Sequence, residues 1–526
     1  MALPFDAPIH KLPEELLLQI ATHLPDSAAP RSLKSLCLTS RKFRAAGQEV
    51  LHTVAKLSIS CGCHPKVNPL LRLLRTLFDR PDLATQVKSL RIRTVRKNVA
   101  KICEEQGFSL APLRTRSLVR LEELGYKKHP WHKTIQNSIE SGFAGILLLL
   151  LPNLTHLEFW VKDHHRGPPS SECISGLFGG MSAPDSIVNG WGTLRHLTTS
   201  DTHLFKSGIN FASLTSLDLK TISIGTILRL NGPGCLEGAE NLEDLALTVS
   251  VQFADRLLIE KAEIQLGDLF DALGCVQLRS LKILLINDGY HIGDDLNTQL
   301  EGGYFVDQLN SMKSTLETLA ITLEITDDDS ELEWLLDMIT SPKDSLKHFD
   351  VLRHLVLPQA FLFAVGSMPW ESKSCRPKDM PPKLETLEIY YPGEEIENWV
   401  AGFVSADSDD AKPPPGLKEI TLTCRDEVGA PASYFSSEVD KIWWELATDL
   451  GIDSYTYCQI QEHRSKLAEL WYKESLDTAA SEEDQDEEEE EEWNNDADSD
   501  KPEGDDDMPD FTHLADHIPE SIETVD

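Results

Sequence analysis

Leu242-Glu243-Asp244-Leu245-Ala246-Leu247 sets a pattern to which the chain keeps returning. Near copies stand at Leu154–Phe159, Leu194–Leu197, Leu214–Leu219, Leu278–Ile283, Leu316–Ile321, Leu352–Leu357, Leu384–Ile389 and Leu417–Leu422, with a possible earlier member at Val87–Ile92. From Leu154 onward the first leucines of successive copies lie 40, 20, 28, 36, 38, 36, 32 and 33 residues apart. Alternate side chains of a strand share a face. Leu245 and Leu247, with Leu242 before them, therefore point to one side, and Asp244 and Ala246 point to the other. A single strand of this kind cannot bury its own apolar face, so the copies must stack on one another around a shared core.

The segments between copies read as helices. Leu266, Leu269, Phe270 and Leu273 have helical spacing, and Ser330-Glu331-Leu332-Glu333 is a capping box opening Trp334–Ile339. Strand, return helix and strand again predict a parallel sheet. The outward positions then form two columns. One runs His156, His196, Ser216, Asp244, Ser280, Thr318, His354, Thr386, Glu419. The other runs Glu158, Thr198, Asp218, Ala246, Lys282, Ala320, Val356, Glu388, Thr421. His156, Asp218, Asp244, Lys282, His354 and Glu388 are the candidate binding residues for a protein substrate on this face. The columns are nearly free of Lys and Arg. That favours a basic or neutral substrate segment over a phosphopeptide, which would want clustered arginines. For any single column residue, a solvated strand position is the simpler reading, and the segments 162–190 and 366–382 are alternative recognition loops.

Ahead of this body, residues 9–51 read as three short helices. Pro13 suits a first helical turn, and Glu14 and Glu15 favour the positive end of the helix dipole. Leu16, Leu17, Ile20 and Leu24 share a face, and Pro25 ends the helix. Leu33, Leu36 and Leu38 mark a second segment. Thr39 or Ser40 caps a third that runs through Phe43 toward Leu51. So short a stretch buries little surface alone, and its surplus leucines ask for a partner. At the other end, residues 438–473 have helical spacing, with Val439, Ile442, Trp443, Leu446 and Leu450 on one face. They read as a helical cap on the stack. After Ser481 the acidic run cannot pack and reads as disordered by composition.

The chain has 526 residues and a formal charge of −37, unevenly spread. Residues 1–140 carry a net +11, residues 481–526 a net −21, and the body between them −27. Phosphates would be repelled by most of this surface, which argues against general nucleic-acid binding. The ten cysteines form no CxxC pair, as suits reduced thiols of a cytoplasmic or nuclear protein. Met1–Asp6 carries no basic-then-apolar signal, and the run Gly145–Leu151 is far shorter than the ~20 residues a bilayer needs. No membrane association is expected. Phosphate-loop, nucleophile-elbow and paired-histidine zinc motifs are absent, and Cys61-Gly62-Cys63-His64 lacks a matching pair. No catalytic residue, metal or cofactor is expected.

Residues 9–51 resemble the F-box motif, on Leu12-Pro13-Glu14-Glu15-Leu16, Ile20, Leu24-Pro25 and Leu36–Phe43, with Phe43 where the family often has Trp. The resemblance implies docking on the Skp adaptor, and through it on a cullin, by Leu12, Pro13, Leu16, Ile20, Leu24, Leu36 and Phe43. The body resembles the leucine-rich repeat in an irregular F-box-protein style, with repeats longer than usual and without the closing Asn or Cys. The expected fold class is α/β: a three-helix F-box (1–55), a helical linker with a first repeat-like segment (56–150), a leucine-rich-repeat-like solenoid (151–430), a helical cap (431–475) and a disordered acidic tail (476–526). The implied role is that of a non-catalytic substrate receptor in a Skp–cullin–F-box ubiquitin ligase. The alternatives are a scaffold outside the ligase, or a repeat protein whose N-terminal helices are only a cap.

Overall fold

A computed structural model describes residues 12–22, 35–39, 42–44, 46–47, 50, 54–57, 67–95, 97–127, 130–162, 192–199, 213–222, 241–250, 270, 277–286, 300–324, 336, 339–340, 342–343, 345–363, 375–392, 395–404, 413–424 and 439–458. Every described residue belongs to the first of the chain's two units, Met1–Ser465. The acidic run after Ser481, the cap's distal part, Leu24, and the Cys61–His64 cluster lie outside the described residues.

Among the described residues the fold is mixed α/β around a parallel sheet of twelve strands. Its strands are β1 (Val54–Leu57), β2 (Ser89–Val95), β3 (His156–Lys162), β4 (His196–Thr199), β5 (Ser216–Ile222), β6 (Asp244–Ser250) and β7 (Ser280–Ile286), followed by β9 (Thr318–Glu324), β11 (His354–Pro358), β12 (Thr386–Tyr390), β13 (Glu419–Cys424) and β14 (Asp453–Cys458). Each pairs with its sequence neighbour in the sheet, so the order in space is the order in the chain. Two further strands, β8 (Leu300–Glu301) and β10 (Ile339–Thr340), form a separate parallel ladder.

The leucine pattern accounts for the sheet. Every first-position leucine from Leu154 to Leu417 is at most 6% exposed. The strand positions Leu157, Leu217, Leu245, Leu281, Leu319, Leu355, Leu387 and Ile420 are at most 2% exposed, and the next inward set, from Phe159 to Leu422, at most 3%. They belong to one continuous core. Burying a side chain of this size contributes roughly 1.5–3 kcal/mol, which is why an unpaired copy gains little and the array much. The ladder begins one residue before each strand, as where the Arg279 and Glu317 amides donate to the Glu243 and Arg279 carbonyls at 2.8 Å each.

Between β2 and β3 the chain leaves the sheet for the helices Ala100–Glu105, Ala111–Glu123, Pro130–Gln136 and Glu140–Leu149. The last is buried along its whole length. Glu140 ties it to β2 and to Asn68, the cap of the earlier helix Pro69–Asp79. Its Oε1 accepts from Asn68 Nδ2 at 2.8 Å, Thr94 Oγ1 at 3.1 Å and the Val95 amide at 3.2 Å. Burial pushes this carboxyl upward, and the three donors oppose that shift. Asn68 also caps its own helix, accepting from the Leu70 amide at 2.9 Å.

Two expectations are corrected. Trp334–Ile339 does not run as a helix to its end: Leu336 is helical, but Ile339–Thr340 form β10 against β8. Pro342 bars a continuing helix, and Ile339 is worth more in the core, where it is 4% exposed. It packs where Gly302 passes so closely that an added Cβ would meet Phe361 at 3.2 Å and Ile339 at 3.4 Å. Nor are residues 438–473 one helix. Val439–Glu445 is helical and a wider turn covers Leu446–Leu450, with Leu446 buried and Leu450 39% exposed. Gly451 then turns left-handed at φ 66° and the chain enters β14. A left-handed glycine is a common helix stop.

Candidate functional site

The polar face of the sheet is built by register. His156, His196, Ser216, Asp244, Ser280, Thr318, His354, Thr386 and Glu419 are successive partners across the strands, and so are Glu158, Thr198, Asp218, Ala246, Lys282, Ala320, Val356, Glu388 and Thr421. The two columns extend at both ends, through Ser89 and Arg91 on β2 and through Asp453 and Tyr455 on β14. The expected candidates fall on β3, β5, β6, β7, β11 and β12 within these columns, so they share one face of the sheet but are spread along it. Adjacent strands lie ~4.8 Å apart and alternate residues ~6.8 Å apart along a strand. The result is a regular grid of side chains. Among the described residues its register shifts between Leu219 and Ile222 on β5.

The grid is not uniform. Toward β1, His156 and His196 stack with ring centroids 4.1 Å apart. Burial and the neighbouring His196 hold the His156 imidazole below the usual histidine range. Arg91 pairs with Glu158, and Lys220 with Asp218 at 3.0 Å. Toward β14 the carboxylates meet hydroxyls instead. Thr423 Oγ1 donates to Glu388 at 2.8 Å, and Thr421 Oγ1 to Glu419 at 3.2 Å. His354 Nδ1 contacts Thr386 Oγ1 at 2.9 Å. Tyr390 is pushed up to about 12 by burial and by Glu388 beside it. Where the strands begin, Glu385 holds both Arg353 and Lys418 at 2.6 Å, and these two cations hold its carboxyl below the usual range.

The N-terminal helices have a core of their own. Leu17, Phe43 and Ala46 form a small buried cluster, with Leu12 and Leu36 partly buried against it. Glu14–Thr22 is helical, and residues 35–39 and 42–44 are helical as well. Lys42 Nζ donates to the Leu12 carbonyl at 2.5 Å, joining the third segment to the start of the first. Of the expected docking residues, Pro13 is exposed, Leu16 is 44% exposed and Ile20 42%. Phe43, 5% exposed, packs inside the module and does not present a surface. Leu38, not among the expected residues, is 79% exposed. Its signal was an apolar residue beside the polar Thr39-Ser40 pair, two positions beyond Leu36.

Among the described residues there is no group of three or more potential metal ligands, and no helix is long and apolar enough to cross a membrane. No protein-family model matches the chain, and no curated protein matches it either.

Proposed function

We propose that the chain is an F-box protein of leucine-rich-repeat type, the substrate receptor of a Skp–cullin–F-box ubiquitin ligase. The observation that carries this reading is the separation of two surfaces. A small helical module keeps its own core while leaving Leu16, Ile20 and Leu38 in solvent, and a long parallel sheet presents an in-register polar face. Exposed large apolar side chains on a module this small suit a protein partner, here the Skp adaptor. Leu12, Pro13, Leu16 and Ile20 carry the contact, together with Leu24, while Leu36 and Phe43 hold the shape that presents it. The sheet is a solenoid whose concave side carries the two columns, where a substrate binds through side chains such as His156, Asp218, Asp244, Lys282, His354 and Glu388. The protein does no chemistry of its own. It holds a substrate near the conjugating enzyme and raises its effective concentration there.

Capture by purified Skp adaptor tests this. The full chain is retained, and a Leu12→Ala, Pro13→Ala variant is lost, since truncating an interface anchor typically costs ~1–4 kcal/mol. Cullin in the same complex, and a cellular protein that accumulates when residues 1–55 are deleted, separate a ligase receptor from a scaffold. Undiminished capture of the variant would sink the adaptor assignment.

A further inference from the structure

The two ends of the polar face treat their carboxylates differently. Near β2–β5, Glu158 and Asp218 each have a cation of this chain beside them, Arg91 and Lys220. On β12–β14, Glu388, Glu419 and Asp453 have none among the described residues; the first two are held by threonine hydroxyls. Arg353 and Lys418, each just ahead of its strand, are tied to Glu385. The outward positions of these three strands hold only carboxylates, threonines and tyrosines, with no Lys or Arg. Tyr390 lies two residues beyond Glu388 on β12, and Tyr455, 42% exposed, two beyond Asp453 on β14.

We infer that the β12–β14 end of the polar face is the docking surface for an extended, arginine-bearing peptide segment. The inference rests on the receptor reading above and names the substrate class for that face. Three features select this occupant. Charge is the first, because no cation among the described residues pairs with these carboxylates and an incoming one does. Shape is the second. A guanidinium is planar, forks two carboxylate oxygens and stacks on a phenol face, and the surface places carboxylates and tyrosines on the same strands. Period is the third. An extended peptide presents alternate side chains every ~6.8 Å, which is the spacing from Asp453 to Tyr455 and from Glu388 to Tyr390 along their strands. A phosphopeptide or nucleic acid finds no cation here.

The test selects binders to the full-length chain from a random peptide library displayed on phage. The result expected is enrichment of arginine. The selected peptide then binds a Glu388→Gln, Glu419→Gln, Asp453→Asn variant about tenfold or more weakly. Replacing its arginine by the neutral isostere citrulline costs as much on the wild type and little further on the variant, the mark of a direct pair. Tyr455→Ala, at a position 42% exposed, weakens binding. The acidic tail is present in every variant, so equal binding by wild type and triple variant assigns the peptide to another acidic segment and overturns the proposal, as does selection without arginine enrichment. Adaptor capture is read on the same proteins. Its loss from the wild type would remove the ligase reading and leave the peptide result standing.

Discussion

The sheet buries every first-position leucine of its strands to 6% exposure or less, whereas the first helix of the N-terminal module leaves Leu16 at 44% and Ile20 at 42%. Both regions are leucine-rich, and both carry those leucines at regular spacing. The sheet has a stack of neighbours to close over each one. The module has Leu17, Phe43 and Ala46 for a core and nothing among the described residues to cover its other apolar face. The lesson is that spacing identifies an apolar face, but the number of stacked copies decides whether that face becomes core or contact surface.

The sharpest way to break the comparison is to make the same change in both regions. Leu281→Ala, in the middle of the stack on β7 and fully buried, is expected to cost about 2–5 kcal/mol in urea unfolding. Leu16→Ala, half exposed, is expected to change stability by no more than about 0.5 kcal/mol and to affect only capture by the adaptor. Equal losses from the two would dissolve the distinction between core and contact leucines.

Glu140 sharpens it from the other side, as a polar group in the sheet's flanking helices. A carboxyl raised by burial holds its proton more tightly folded than unfolded. Its contribution is complete below the ordinary value of 4.5 and is lost as pH rises through the folded value. The hydrogen bonds all reach Oε1, which glutamine retains. Glu140→Gln should therefore become more favourable relative to wild type as pH rises from mildly acidic to neutral, read by urea midpoints across that range. A constant difference between the two proteins would show that Glu140 does not titrate there. The smallest effect belongs to the polar face. Asp244→Asn should leave stability within about 0.5 kcal/mol by urea midpoint, since the position is exposed.

Much of the sheet was legible in the sequence because the leucine pattern fixes both which side chains are inward and which residues pair. A slip of one residue would turn every leucine to solvent, so the columns from His156 to Glu419 and from Glu158 to Thr421 follow from the spacing alone. The ends were not legible. In β14 the positions opposite Ile420 and Leu422 are Ser454 and Thr456, so the last strand lacks the pattern that marks the others, and its helix-like prelude hides it. β1 is four residues long, too short to show a period. The small β8–β10 ladder was missed because Ile339 is compatible with either helix or strand until Gly302 and Phe361 are brought against it. In the module, the helical period marked Leu16, Leu17 and Ile20 as one face, but it could not show that Leu17 turns in while Leu16 and Ile20 stay out. That division depends on where Phe43 packs.

Titration of purified Skp adaptor against the full chain and against a Leu16→Ala, Ile20→Ala variant tests the central claim most directly. The account predicts binding by the wild type and at least about tenfold weaker binding by the variant, with the two melting temperatures alike. Equal binding by both proteins, or none by the wild type, would contradict it.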